Sequence, residues 1–142
     1  MIVEEAMEVS AELVDAVRRL LPQLSASAAA PTHADIERIV QSGASHLLVA
    51  RDGGSIVGML TLVIFPIPTG VRAWIEDVVV DAQARGKGVG EVLNRAALEI
   101  AARADVRTVD LTSRANREAA NRLYRRLGFE PRATNVYRYT LD

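Results

Sequence analysis

Residues 78–97 read VVVDAQARGKGVGEVLNRAA: a valine run, a short polar stretch, three glycines within five residues, and an amphipathic segment. Gly86, Gly88 and Gly90 are a poor way to begin a helix, because glycine surrenders more backbone freedom on folding than any other residue. They are useful where something must approach the main chain closely. A strand, a tight loop and a helix in that order leave several N–H groups unpaired at the helix start. The helix dipole adds partial positive charge at the same place. Without side chains at the three glycines, a phosphate can reach those amides, and Arg85 and Lys87 bring mobile positive charge to the rim. The plainer alternative is a glycine-rich turn that holds nothing.

The spacing narrows the choice of phosphate compound. The dinucleotide fingerprint is G-x-G-x-x-G, whereas here the glycines run G-x-G-x-G. A nucleotide P-loop requires G-x-x-x-x-G-K-[ST], but Lys87 is followed by Gly88. Both familiar nucleotide patterns fail.

The rest of the chain sets the frame. Its 142 residues suit one domain, long enough to bury roughly two thirds of its unfolded surface. With 49% apolar and 25% charged residues it has the composition of a soluble globular protein. Seventeen basic against 18 acidic side chains give no net field for nucleic acid or membrane. With no cysteine there is no disulfide, thiolate nucleophile or thiolate metal site. His33 and His46, isolated from each other, make no zinc site and read as surface or strand-edge residues. The acidic start MIVEEAMEVS is unlike a signal peptide, and no apolar run approaches membrane-spanning length. The expected compartment is the cytoplasm.

Hydrophobic periodicity yields the elements. Residues 1–6 read as a strand. Ser10 is placed to cap a helix carrying Leu13, Val14, Val17, Leu20, Leu21 and Leu24, and Thr32 to cap a second carrying Ile36, Ile39 and Val40. HLLVARDGGSIVGMLTLVIF is two apolar runs around a hairpin turn, PIPTG is the next turn, and VRAWIEDVVVD the next strand. The glycine segment opens a helix whose apolar face is Val89, Val92, Leu93, Ala96, Ala97, Ile100, Ala101 and Ala104. VRTVDLTS reads as a strand. NREAANRLYRRLG reads as a helix with Ala119, Ala120, Leu123, Tyr124 and Leu127 inward and Gly128 as its stop. TNVYRYTL alternates and is predicted to close the chain as a strand. The order is that of an α/β domain on one central sheet.

Two stretches resemble the signatures of the GCN5-related N-acetyltransferases (GNAT). VVVDAQARGKGVGEVL is similar to the acetyl-CoA-binding motif, Q/R-x-x-G-x-G/A after a strand, with Arg85, Gly88 and Gly90 at its fixed positions. REAANRLYRRLGFEP resembles the second signature, a small-residue helix ending L-Y-x-x-x-G-F, matched by Leu123, Tyr124, Gly128 and Phe129. The separation of the motifs and the element order from residue 46 onward also agree. The resemblance implies a GNAT fold across residues 1–142, a mixed and mostly antiparallel sheet of about six or seven strands with about four helices. It implies acetyl-CoA as acyl donor and no metal. The diphosphate of coenzyme A would sit on residues Gly86, Lys87, Gly88, Val89 and Gly90 beside Arg85. Its pantetheine arm would pair with the main chain of Val78, Val79 and Val80, where the fourth and fifth strands of the family splay apart. It also implies a small-molecule or peptide amine as acceptor and allows a homodimer.

Acetyl transfer to an amine needs a proton removed, an oxyanion met by a donor, and a thiolate protonated on departure. Lacking cysteine, the chain is expected to use direct attack in a ternary complex. Tyr124 matches the family tyrosine beside the coenzyme sulfur and is the candidate acid, against a packing role on its apolar helix face. Glu76 is the candidate base. Strand alternation places it with Trp74 and Val78 and turns Asp77 the other way; Asp77 or a water are alternatives, as is a solvated strand-end charge. Asn116 falls near the position of a family asparagine that touches the cofactor, but one residue early when counted from Tyr124. It serves equally as a helix cap, and Asn121 is an alternative contact. Tyr137 and Tyr139 read as structural or substrate-facing, and Trp74 as core. The competing class is an acyl-CoA-binding or regulatory domain without an acceptor site.

Overall fold

The computed structural model describes residues 1–141. They form five strands and four α-helices: β1 (Ile2–Glu5), α1 (Ala11–Leu24), α2 (His33–Gln41), β2 (Ser45–Asp52), β3 (Ser55–Ile67), β4 (Gly70–Val80), α3 (Val89–Arg103), β5 (Thr108–Asp110) and α4 (Glu118–Leu127). A single 3₁₀ turn, Ala82–Ala84, follows β4. The described residues fall into two compact units: Met1–Thr112, holding the whole sheet, and the segment from Ser113 onward, holding α4.

In the first unit the strands lie in the order β1-β2-β3-β4-β5. All neighbours are antiparallel except β4 and β5. α1 and α2 start at side-chain caps. The Ser10 hydroxyl accepts from the Leu13 N–H at 3.1 Å, and Thr32 and Asp35 form a reciprocal capping box at 3.1 and 2.9 Å. The Thr32 N–H beside Asp35 holds that carboxyl below its usual range.

Each face of the sheet is covered. On one, Leu47, Val49, Met59 and Val79 pack with Leu13, Ala16, Val17 and Leu20 of α1 and Ile36 of α2. On the other, Leu48, Ala50, Leu60 and Leu62 are buried, and α3 lies there. A Cβ at Gly58 would stand 2.7 Å from Val89 Cγ1 and 3.1 Å from Leu93 Cδ1. Glycine in mid-strand is therefore what lets the first turn of α3 rest on β3.

The second unit contains α4, closed by Gly128 in the left-handed region at φ +103°. Phe129 stacks edge-on against Tyr124 with ring centroids 5.8 Å apart. Its apolar side chains Leu123, Tyr124 and Leu127 are half-buried.

The fold class agrees with the sequence, and the strand count is lower than the six or seven expected. TNVYRYTL forms no strand among the described residues, and Val136, Tyr137, Tyr139 and Leu141 are exposed. Alternation is a property of the segment, whereas a strand also needs a neighbouring backbone to pair with. VRTVDLTS likewise keeps only Thr108–Asp110 in the sheet.

Candidate acyl-donor site on β4 and α3

The glycine segment has the geometry its composition suggested. Gly86 and Gly88 have φ of +81° and +82°, the left-handed region that residues with a Cβ rarely enter. A Cβ at either would meet nothing within 4 Å, so the backbone conformation demands these glycines and the space before them is open. Gly88 is the N-cap of α3, and no side chain caps that end. The α3 start therefore keeps the donors that a Ser or Asp cap would have satisfied. Arg85 and Lys87 are exposed, and neither forms an ion pair among the described residues. Gly90 lies within α3, and Val89 is buried.

Upstream, β4 is irregular. Met59 pairs with Val79 but Thr61 with Glu76, so β4 carries one residue too many opposite Leu60. Asp77, at φ +49°, is the extra residue. Aspartate is among the few non-glycine types that tolerate this region, and the feature is a β-bulge. It overturns the alternation argument. Glu76 shares a face with Trp74 and Val79, and Val78 is shifted out of step, so the expected grouping of Glu76 with Val78 does not hold. Glu76 and Asp77 are both exposed.

The pairing of β4 with β5 is brief. Arg72, Ala73 and Trp74 pair with Thr108, Val109 and Asp110, and no further. Residues 75–80 therefore have no partner strand in this unit on the side away from β3. The Asp81 N–H donates to the Val57 carbonyl at 2.8 Å. Across a trans peptide the preceding carbonyl points the opposite way, so the Val80 carbonyl faces this open edge. The Val79 side chain is in the core; as with Val89, only its main chain is available to a ligand.

Asn116 and Tyr124 belong to the second unit. Burial raises the Tyr124 phenol above its ordinary pKa, with Arg117 opposing. Asn116 does not cap α4: the N-cap is Arg117, which makes no side-chain cap bond. The Asn121 amide donates to the Arg114 carbonyl at 3.0 Å, bracing the loop before the helix.

Sequence reading missed several polar groups. Asn94 is completely buried; its Nδ2 donates to the Gly90 carbonyl at 2.8 Å, while Oδ1 has no protein partner. A polar residue adjoining Leu93 on an apolar helix face is its sequence signal. Arg19 and Gln23 of α1 contact the residues just after β4, which no local pattern reveals. An open groove of about 450 Å³ lies along Glu12, Asp15, Ala16, Arg19, Ser55 and Ile56 and includes none of the residues 78–90. Among the described residues no group of three or more His, Asp or Glu side chains could hold a metal, and no helix is long and apolar enough to cross a membrane.

Residues 12–129 match the profile of the acetyltransferase (GNAT) family. The chain belongs to that family, and the match runs through both units. Its fold is that of a putative acetyltransferase from Agrobacterium tumefaciens strain C58, at TM-score 0.88 and 24% identity over 99% of this chain and 100% of that one. It is also that of an aminoglycoside acetyltransferase from an uncultured soil metagenomic sample, at TM-score 0.85 and 20% identity over 99% and 95%. A transcriptional regulator from Bacillus halodurans C-125 is similar at TM-score 0.84 and 25% identity over 98% and 99%. No curated protein matches the chain.

Proposed function

We propose that this chain is a cytoplasmic, acetyl-CoA-dependent N-acetyltransferase, a single domain over residues 1–142. The observation that carries the reading is the pairing of an uncapped, glycine-entered helix start with an open strand edge. Residues 86–90 would hold the diphosphate on main-chain N–H groups, with Arg85 and Lys87 offsetting its charge. Main-chain groups of Val78, Val79 and Val80 would align the pantetheine arm along β4. Asn116 would add a polar contact.

The bound donor would supply an acetyl thioester. Glu76, or Asp77 or a water in its place, takes the proton of the acceptor ammonium. The nitrogen lone pair so freed would bond to the carbonyl carbon as the C–S bond breaks. Tyr124 would give its proton to the departing sulfur and regain one from the second proton that the nitrogen sheds on becoming an amide. Tyr124 is protonated at neutral pH, as an ordinary phenol already is, and burial moves its pKa further up. The acceptor is a primary amine on a small molecule or peptide, a reading supported by the aminoglycoside acetyltransferase among the fold neighbours.

Thiol release from acetyl-CoA across a panel of amines tests the proposal, with Tyr124→Phe as control. Turnover with at least one amine, sharply reduced in the variant, is expected. Coenzyme A binding without turnover on any amine would instead favour a binding or regulatory domain. That reading draws on the Bacillus halodurans neighbour described as a transcriptional regulator.

A further inference from the structure

Between the end of β4 and Gly86 run only five residues, and α1 grips the first two of them. The Arg19 guanidinium binds the Asp81 carboxylate through Nη1, while Nη2 donates to the Ile56 carbonyl at 2.7 Å. One turn further along α1, Gln23 Oε1 accepts the Ala82 N–H at 2.9 Å. Asp81 is itself an anchor. Its N–H donates to the Val57 carbonyl at 2.8 Å and its carbonyl accepts the Ala84 N–H at 2.8 Å. Its Oδ1 accepts the Gln83 N–H at 3.2 Å. The Asp81 side chain is 15% exposed and that of Arg19 46%.

We propose that Arg19 and Gln23 are positioning residues for the phosphate cradle, fixing from α1 where the loop leaves β4 and hence where the Gly86 and Gly88 amides stand. The inference rests on the proposed donor site. Arg19 and Gln23 are four residues apart and so lie on one helix face, and their targets are consecutive in the chain. Arg19 joins that point to β3 as well, so the loop origin is tied to the sheet through Val57 and to α1 through Asp81 and Ala82. With Arg19 46% exposed, the ion pair is partly screened by solvent and adds little to global stability. Its effect falls on local geometry, where displaced amides lose hydrogen bonds to a fixed diphosphate.

The test is an NMR titration of the ¹⁵N-labelled full chain with two probes: coenzyme A, which carries the diphosphate, and pantetheine, which does not. In an Arg19→Met, Gln23→Met double variant, affinity for coenzyme A is expected to fall about tenfold. Pantetheine affinity and melting temperature should stay close to wild type. Arg19→Lys, able to meet Asp81 but not Ile56 at the same time, should fall in between. If the double variant does not fold, Gln23→Met alone is read in the same way, with a smaller loss for coenzyme A only. Unchanged coenzyme A affinity, or equal losses for both probes, overturns this inference alone. A wild-type chain that takes up no coenzyme A overturns the donor-site reading together with it.

Discussion

Glu76 stands opposite Thr61, one residue out of step with the pairing of Val79 and Met59. Glu76 and Asp77 are both exposed, in the stretch where β4 has lost its β5 partner. Asp77 holds the bulge in the left-handed region, which costs a non-glycine residue about 1–2 kcal/mol. Asp77→Gly should keep the bulge and stability, whereas Asp77→Val should lose about 1–3 kcal/mol in urea unfolding. Equal stability of the two variants would contradict a left-handed residue at this position.

Gly88 is held at φ +82° with open space before it. Asn accepts this conformation more readily than Val, so Gly88→Asn should stay nearer wild-type stability than Gly88→Val. Both add a side chain where a ligand would approach, so both should weaken coenzyme A binding at least about tenfold by calorimetry. Affinity that followed stability, with Asn harmless to both, would count against the cradle.

Tyr124 sets the alkaline behaviour. Burial raises its pKa above the ordinary phenol value of about 10. A raised pKa means that the proton is retained further up the scale, so the acid form is complete at neutral pH and is lost only as pH rises through the folded value. The pH profile of kcat should therefore show no Tyr124 limb below about pH 10. Tyr124→Phe should lower kcat about a hundredfold or more without a matching rise in KM. Full activity in the phenylalanine variant would leave the tyrosine a packing residue.

Ser10 caps α1, the helix that also carries Arg19 and Gln23. Ser10→Ala should cost about 1 kcal/mol in chemical denaturation. The effect should appear as lower stability rather than as changed coenzyme A affinity at temperatures where the variant is fully folded.

What the residues determine alone is whatever depends on near neighbours in the chain. The 3.6-residue spacing of Leu93, Ala97 and Ala101, the hydroxyls of Ser10 and Thr32, and the left-handed Gly88 and Gly128 act within a turn or two. Elements, caps and the glycine entry to α3 were legible for that reason. Tertiary structure decided what depends on a partner far along the chain. The bulge at Asp77 exists only relative to Leu60, so the regular-looking IEDVVV misled on which way Val78 faces. TNVYRYTL has the composition of a strand without a strand's neighbour, and Arg19 reaches Asp81 across 62 positions of sequence. Pairing register and long-range polar contacts are set by which backbone or carboxylate lies opposite, and a linear pattern carries no record of that.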